Sequence, residues 1–233
     1  MQPWIVIDTA RVPGGAEDLR LLQRGTEFVI NLGTELLMGS RQRGSEQALA
    51  TLGCAGLMEH RNAGRVLIGG LGMGFTLRAA LDMAGPDTAI DVAEIVPAVV
   101  KWVQGPLAHL SGNALADRRV TIVQADVGRH MQQADRKYDA ILLDVDNGPE
   151  ALTRTGNGEL YRPSGLRSAW MALSGGGVLA VWSAFPDNNF SRKLAGVGFS
   201  VEEHPVRAHG GKGARHVIWV ARKPSSAGHK ASG

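Results

Sequence analysis

At 233 residues, with 44% apolar and 20% charged side chains and a formal net charge of +3, the chain has the length for one α/β domain with an appendage and the composition of a soluble globular protein. The mild basic balance lacks the interleaved aromatics and cations of a single-strand nucleic-acid groove, and no run of about 18 apolar residues exists to span a membrane. A lone cysteine, Cys54, excludes internal disulfides and cysteine-cluster metal sites; with no basic-then-apolar leader in "MQPWIVIDTA", a cytoplasmic location is expected.

Residues 4–38 read as short strands, "WIVIDTARV", "DLRLLQRG" and "EFVINLGTELLM", separated by the turn clusters "PGGAED" and "RGT". From Ser45, a candidate N-cap, "EQALATLGCAGLMEH" carries apolar residues at helical spacing. Strand and helix then alternate. "RVLIGG" (65–70) leads through "LGMG" into the helix "FTLRAALDMAG". "TAIDVAEI" (88–95) is followed by a helix starting at Pro97, and "RVTIVQAD" (119–126) by a short helix at 127–134. "YDAILLDV" (138–145), a helix near 164–173 and "GGVLAVWSA" (176–184) complete the series, and "FSVEEHPVRA" with "RHVIWVARK" forms a hairpin across "HGGKGA". Such alternation predicts an α/β fold with a doubly wound, mostly parallel sheet and a small N-terminal β appendage. The expected division is an appendage over 1–44, a main domain over 45–222 and a flexible polar tail over 223–233.

In sheets of this kind ligands bind beyond the carboxyl ends of the strands. The first core strand ends at Gly70, Gly72 and Gly74, whose backbone can approach a ligand closely at a helix N-terminus, or can simply make a tight turn. The second ends at Glu94, at the separation where an acid takes ribose hydroxyls; a solvent-facing acid before a helix is the alternative. The third ends at Asp126, able to accept from an adenine amino group or to cap the next helix. The fourth, "ILLDVDNGP" (141–149), turns abruptly from apolar to Asp144, Asp146 and Asn147, which either line a site or terminate the strand in a turn.

Together, "RVLIGGLGMGFTLRAAL", "VAEI", "VQAD", "YDAILLDVDNGP" and "SGGGVLAVWS" resemble the S-adenosylmethionine-dependent class I methyltransferase fold, a Rossmann-like architecture, and within it the spermidine synthase (polyamine aminopropyltransferase) branch. The resemblance covers about residues 25–185. It implies an enzyme whose donor is S-adenosylmethionine or its decarboxylated form. By that likeness Glu94 would hold the ribose, Asp126 the adenine amino group, and Gly70, Leu71, Gly72 and Gly74 the amino-acid end, with Ile95 and Val127 also in the donor site. Asp144 matches the catalytic aspartate, and Asp146, Asn147 and Tyr161 would border a small-molecule acceptor. A homodimer is expected by the same likeness.

The chain departs from that branch at three places. "GLGMGF" stands where "GGGDGG" is usual, so Met73 replaces an aspartate that holds the donor amine; the Tyr–His pair falls on Gly44 and Ser45; and Asn147 replaces a second carboxylate. These losses favour intact S-adenosylmethionine and methyl transfer to a small molecule, with aminopropyl transfer to a polyamine as one alternative and a non-catalytic nucleotide-binding module as another. Catechol-type methyltransferases bind a divalent cation through an Asp after the fourth strand and an Asp–Asn pair ending the next. Asp187–Asn188 come several residues too late for that, and no metal is expected. Residues 150–160 are a candidate gate or an ordinary surface loop, and Trp102, Trp170, Trp182 and Trp219 are expected in the core.

Overall fold

Residues 2–59, 63–145, 157–187, 189–209 and 212–225 are described by the computed structural model. Strands β1 (Ile5–Arg11), β2 (Asp18–Arg24), β3 (Glu27–Leu32) and β4 (Glu35–Gly39) pair in that order as an antiparallel meander. Alternation gives this sheet one apolar face: Leu19, Leu21, Phe28, Ile30 and Leu32 are buried against the main body. The run "EFVINLGTELLM" is two strands rather than one. It folds back at Gly33, whose φ of 56° suits glycine, so Leu32 pairs with Glu35 across a two-residue turn.

Helix α1 (Gly44–Gly53) starts one residue before the expected cap. Its N-cap is Arg43, which makes no side-chain cap bond, and Ser45 instead donates its hydroxyl to Glu46 Oε2 at 2.8 Å. The helix stops at Cys54, and α2 (Ala55–Glu59) follows as a separate turn. Then come β5 (Arg65–Gly69), α3 (Phe75–Met83), β6 (Ala89–Ala93), α4 (Pro97–Gln104), β7 (Val120–Val123), α5 (Val127–Gln132) and β8 (Tyr138–Leu143). The rest is α6 (Asn157–Leu160), α7 (Pro163–Ala172), β9 (Leu173–Ser183), α8 (Phe190–Val197), β10 (Ser200–His209) and β11 (Lys212–Arg222). Pro97 begins α4 as its spacing predicts, because a proline at the first helical position loses no intrahelical bond.

The main sheet runs β10-β11-β9-β8-β5-β6-β7, parallel throughout β9-β8-β5-β6-β7, with β11 antiparallel to both its neighbours. Its central strands are buried on both faces, which is why "VLIG" and "AILL" show no alternation. One core layer joins α1, α3, α4 and the N-terminal sheet; the other lies under α5, α7 and α8. The expected doubly wound architecture with its N-terminal β appendage is therefore present. Trp102 of α4 is buried and donates its indole N–H to Asp8 of β1 at 2.7 Å, tying the N-terminal sheet over the carboxyl ends of the parallel strands. Lys223, at the head of the expected tail, is instead buried, and its ammonium donates to the carbonyls of Trp170 and Leu173 at 2.7 and 2.6 Å. Residues 226–233 lie outside the described residues. No described helix is long and apolar enough to cross a membrane.

Candidate active site

The strand order reverses beside β5, which has β6 on one side and β8 on the other. Connections leaving these strands diverge there and open a crevice. Gly70, Gly72 and Gly74 all have positive φ, at 88°, 52° and 82°. Gly70 is wedged between two strand ends. Its N–H donates to Ala93 of β6 at 2.9 Å, and a Cβ on it would run into the carbonyl oxygen of Asp144. Gly70→Ala should therefore lower the melting temperature by about 5 °C or more, through left-handed strain together with the clash, as a thermal melt would register. Gly72 lines the cavity, whereas Gly74 is the left-handed N-cap of α3 and packs against Ser111. Leu71 contributes its backbone and buries its side chain.

Glu94 closes this turn. It is buried; the N–H of Leu71 donates to Oε2 at 3.0 Å and the N–H of Val96 to Oε1 at 2.8 Å. Two loops thus fix its carboxylate at the cavity wall, where oxygens with more than one lone pair can still accept from a ligand. Ile95 and Val127 line the same wall. Asp126 is the N-cap of α5, its Oδ1 accepting from the N–H of Arg129 at 2.9 Å, and the residue also lines the cavity.

Asp144 follows β8. Its N–H donates to Gly69 at 2.9 Å, and Thr76, buried at the start of α3, donates its hydroxyl to Oδ2 at 2.6 Å. The residue keeps partial exposure toward the cavity it lines, yet protein surrounds the carboxyl closely enough to strip it of water. Desolvation, with the nearby negative charge of Glu46 adding to it, pushes its pKa up to about 7 against the opposing Thr76 bond. Glu46, in the first turn of α1, is likewise raised by desolvation.

Neither Thr76 nor Glu46 was singled out by sequence. Both precede apolar helical runs, where a threonine or an acid is ordinary first-turn chemistry, and only packing shows which way they face. Met73, which stands where the resembling branch carries an aspartate, lies away from the cavity. It is fully buried in the core and is not among the cavity residues, so its side chain does not occupy the place of a donor-binding charge. Tyr161 is also buried off the cavity; its hydroxyl donates to the Val145 carbonyl at 3.2 Å and its ring meets Phe190 edge-on. Trp182, expected in the core, lines the cavity with His216 edge-on against it. Asp146, Asn147 and residues 150–156 of the candidate gate lie outside the described residues.

The cavity has a volume of about 390 Å3 and lies between the strand ends and the N-terminal sheet, whose Leu19, Ile30, Leu32 and Met38 form an apolar roof. Among the described residues its walls carry the carboxyls of Glu17, Glu46, Glu94, Asp126 and Asp144, and no lysine or arginine. Burial lowers the pKa of His216.

This strand order, glycine turn and set of strand-end acids define the class I S-adenosylmethionine-dependent fold. The family model for the spermine/spermidine synthase domain matches residues 49–186, and the chain belongs to that family. It is accordingly a transferase of the S-adenosylmethionine type. Solved structures agree on the fold. A spermidine synthase in complex with the transition state analogue AdoDATO is 18% identical, with a TM-score of 0.71 over 94% of this chain and 72% of that one. The spermidine synthase from Thermotoga maritima is 19% identical, with a TM-score of 0.72 over the same 94% and 72%. A probable spermidine synthase from Corynebacterium glutamicum ATCC 13032 is 16% identical, with a TM-score of 0.60 over 94% of this chain and 80% of the other. No curated protein matches the sequence.

Proposed function

We propose that this chain transfers an aminopropyl group from decarboxylated S-adenosylmethionine to an aliphatic amine. The observation that carries this reading is the one-sided charge of the cavity: five acidic side chains and no lysine or arginine among the described residues. A sulfonium donor and an amine acceptor are both cations and are attracted there, whereas the intact donor would bring a carboxylate into a field of like charge. The case for methyl transfer rested on lost charge at Met73, Gly44–Ser45 and Asn147, and the cavity carries Glu17 and Glu46 in addition to the strand-end acids. Membership of the spermine/spermidine synthase family supports the same choice.

In this reading Glu94 accepts from the ribose hydroxyls, Asp126 from the adenine amino group, and the turn at Gly70 and Gly72 lets the backbone close on the donor's tail. The donor, when bound, supplies a carbon made electrophilic by positive sulfur. Asp144, placed beyond the glycine turn and held by Thr76, orients the acceptor nitrogen and takes its proton. The apolar roof keeps bulk water from competing for the transfer.

The test is turnover with each donor and a linear diamine, following the nucleoside thioether by mass spectrometry. The decarboxylated donor should be preferred by at least about tenfold in kcat/KM, the equivalent of about 1.4 kcal/mol. Turnover with the intact donor alone would overturn the assignment.

A further inference from the structure

Glu46, half-buried, stands out among the ionisable groups to which the proposed chemistry gives no individual role. An acid at the third position of a helix is usually a solvent-exposed partner of the helix dipole. Here the side chain turns into the cavity, beside Asp144, and is shielded from water. The hydroxyl of Ser45, itself 2% exposed, donates to Glu46 Oε2. Thr76 does the same for Asp144 from the opposite helix, α3, against which α1 packs. Each carboxyl is thus steadied by one neighbouring hydroxyl, and no described lysine or arginine of the cavity neutralises either. Two desolvated carboxyls facing one space without a cation cost free energy, unless that space is where a cation binds.

We propose that Glu46 is the second carboxylate of the acceptor site, and that Glu46 and Asp144 hold the reacting ammonium of the acceptor amine between them. This rests on the amine-transfer reading above and adds to it the residue that restores a paired carboxylate at a site where the sequence has Asn147. Among the described residues, the remaining ionisable groups on the cavity walls are Glu17 on the N-terminal loop, Glu94 after β6, Asp126 before α5 and His216 on β11; Arg78 and Asp82 of α3 pair with each other at the surface. Among the described residues all the charged groups of the cavity are therefore negative, and binding of an ammonium relieves repulsion as well as desolvation.

The step balances without a further reagent. The ammonium gives one proton to the carboxyl pair, and the freed nitrogen lone pair forms the new C–N bond. The C–S bond breaks, its electron pair stays on sulfur, and a neutral thioether leaves with a secondary ammonium as the other product. The proton on the pair is released to water when the product departs.

Glu46→Gln and Glu46→Asp, compared with the unaltered chain, test the assignment. Calorimetric titration with 1,4-diaminobutane should show affinity at least tenfold weaker for Glu46→Gln and partial recovery for Glu46→Asp, while affinity for the decarboxylated donor falls by a smaller factor. In turnover, Glu46→Gln should raise the acceptor KM at least tenfold and move the acidic limb of kcat/KM to lower pH, since a like charge beside Asp144 is gone. A merely structural Glu46 would not move that limb. Unchanged amine affinity, or no amine binding by the unaltered chain, overturns the assignment. Amine binding lost in Glu46→Gln without any turnover in the unaltered chain upholds the acceptor site and sinks aminopropyl transfer instead.

Discussion

Asp144→Asn is expected to cut turnover by about 10²–10⁴-fold while leaving donor affinity within a few-fold of the original. Asparagine has the same shape, and its amide oxygen still accepts from Thr76, so the donor wall is undisturbed. What is lost is a base able to take the acceptor proton. The same variant should be more heat-stable at neutral and alkaline pH. In the fold, desolvation first and Glu46 second lift the Asp144 pKa from 3.8 to about 7. The native state therefore holds this proton more tightly than the unfolded chain does. Stability from this group is complete below pH 4 and falls as pH rises toward 7, beyond which the buried charge persists. Asn carries no such charge, so its melting temperature should exceed the original by several degrees at pH 8, with the gap closing toward pH 4. Full activity in Asp144→Asn, or a gap that widens toward acid pH, would contradict the role.

Glu94→Ala is expected to reduce donor affinity at least a hundredfold by calorimetry and to destabilise the chain as well. The carboxylate ties the N–H groups of Leu71, in the turn after β5, and Val96, just before α4. Without it two backbone donors lose their partner at about 1–3 kcal/mol each, and the glycine turn loses its anchor to the β6 end. A melting temperature lower by about 5 °C or more should accompany the loss of binding. Donor affinity within tenfold of the original would remove Glu94 from the binding site and leave it a purely structural link.

The fold was legible because its signals are local. Continuous apolar runs, the glycine turn and Pro97 locate β5, β6, β8, α3 and α4 to within a residue or two. The places where expectation and structure part are those where distant elements decide. Ser45 has the chemistry of a cap, but the chain enters α1 from β4 in a direction that puts Arg43 at that position. Met73 sits in the motif where a charge is usual, yet the turn points its side chain into the core. Tyr161 carries a hydroxyl toward the end of β8 without reaching the cavity.

By itself the sequence determined the alternation of strand and helix, the crevice at the ends of β5, β6 and β8, and Glu94, Asp126 and Asp144 as its acids. Each of these follows from residue type and spacing along one short segment. Only the tertiary structure decided that Glu46 joins them, that Met73 does not, and that Thr76 holds Asp144. The reason is physical: whether a polar group is desolvated, and what charge it meets, depends on α1, α3 and the N-terminal sheet closing over the strand ends from far along the chain. That closure makes Asp144, the first acid of "ILLDVDNGP", a group whose proton is held near neutrality rather than an ordinary surface carboxylate.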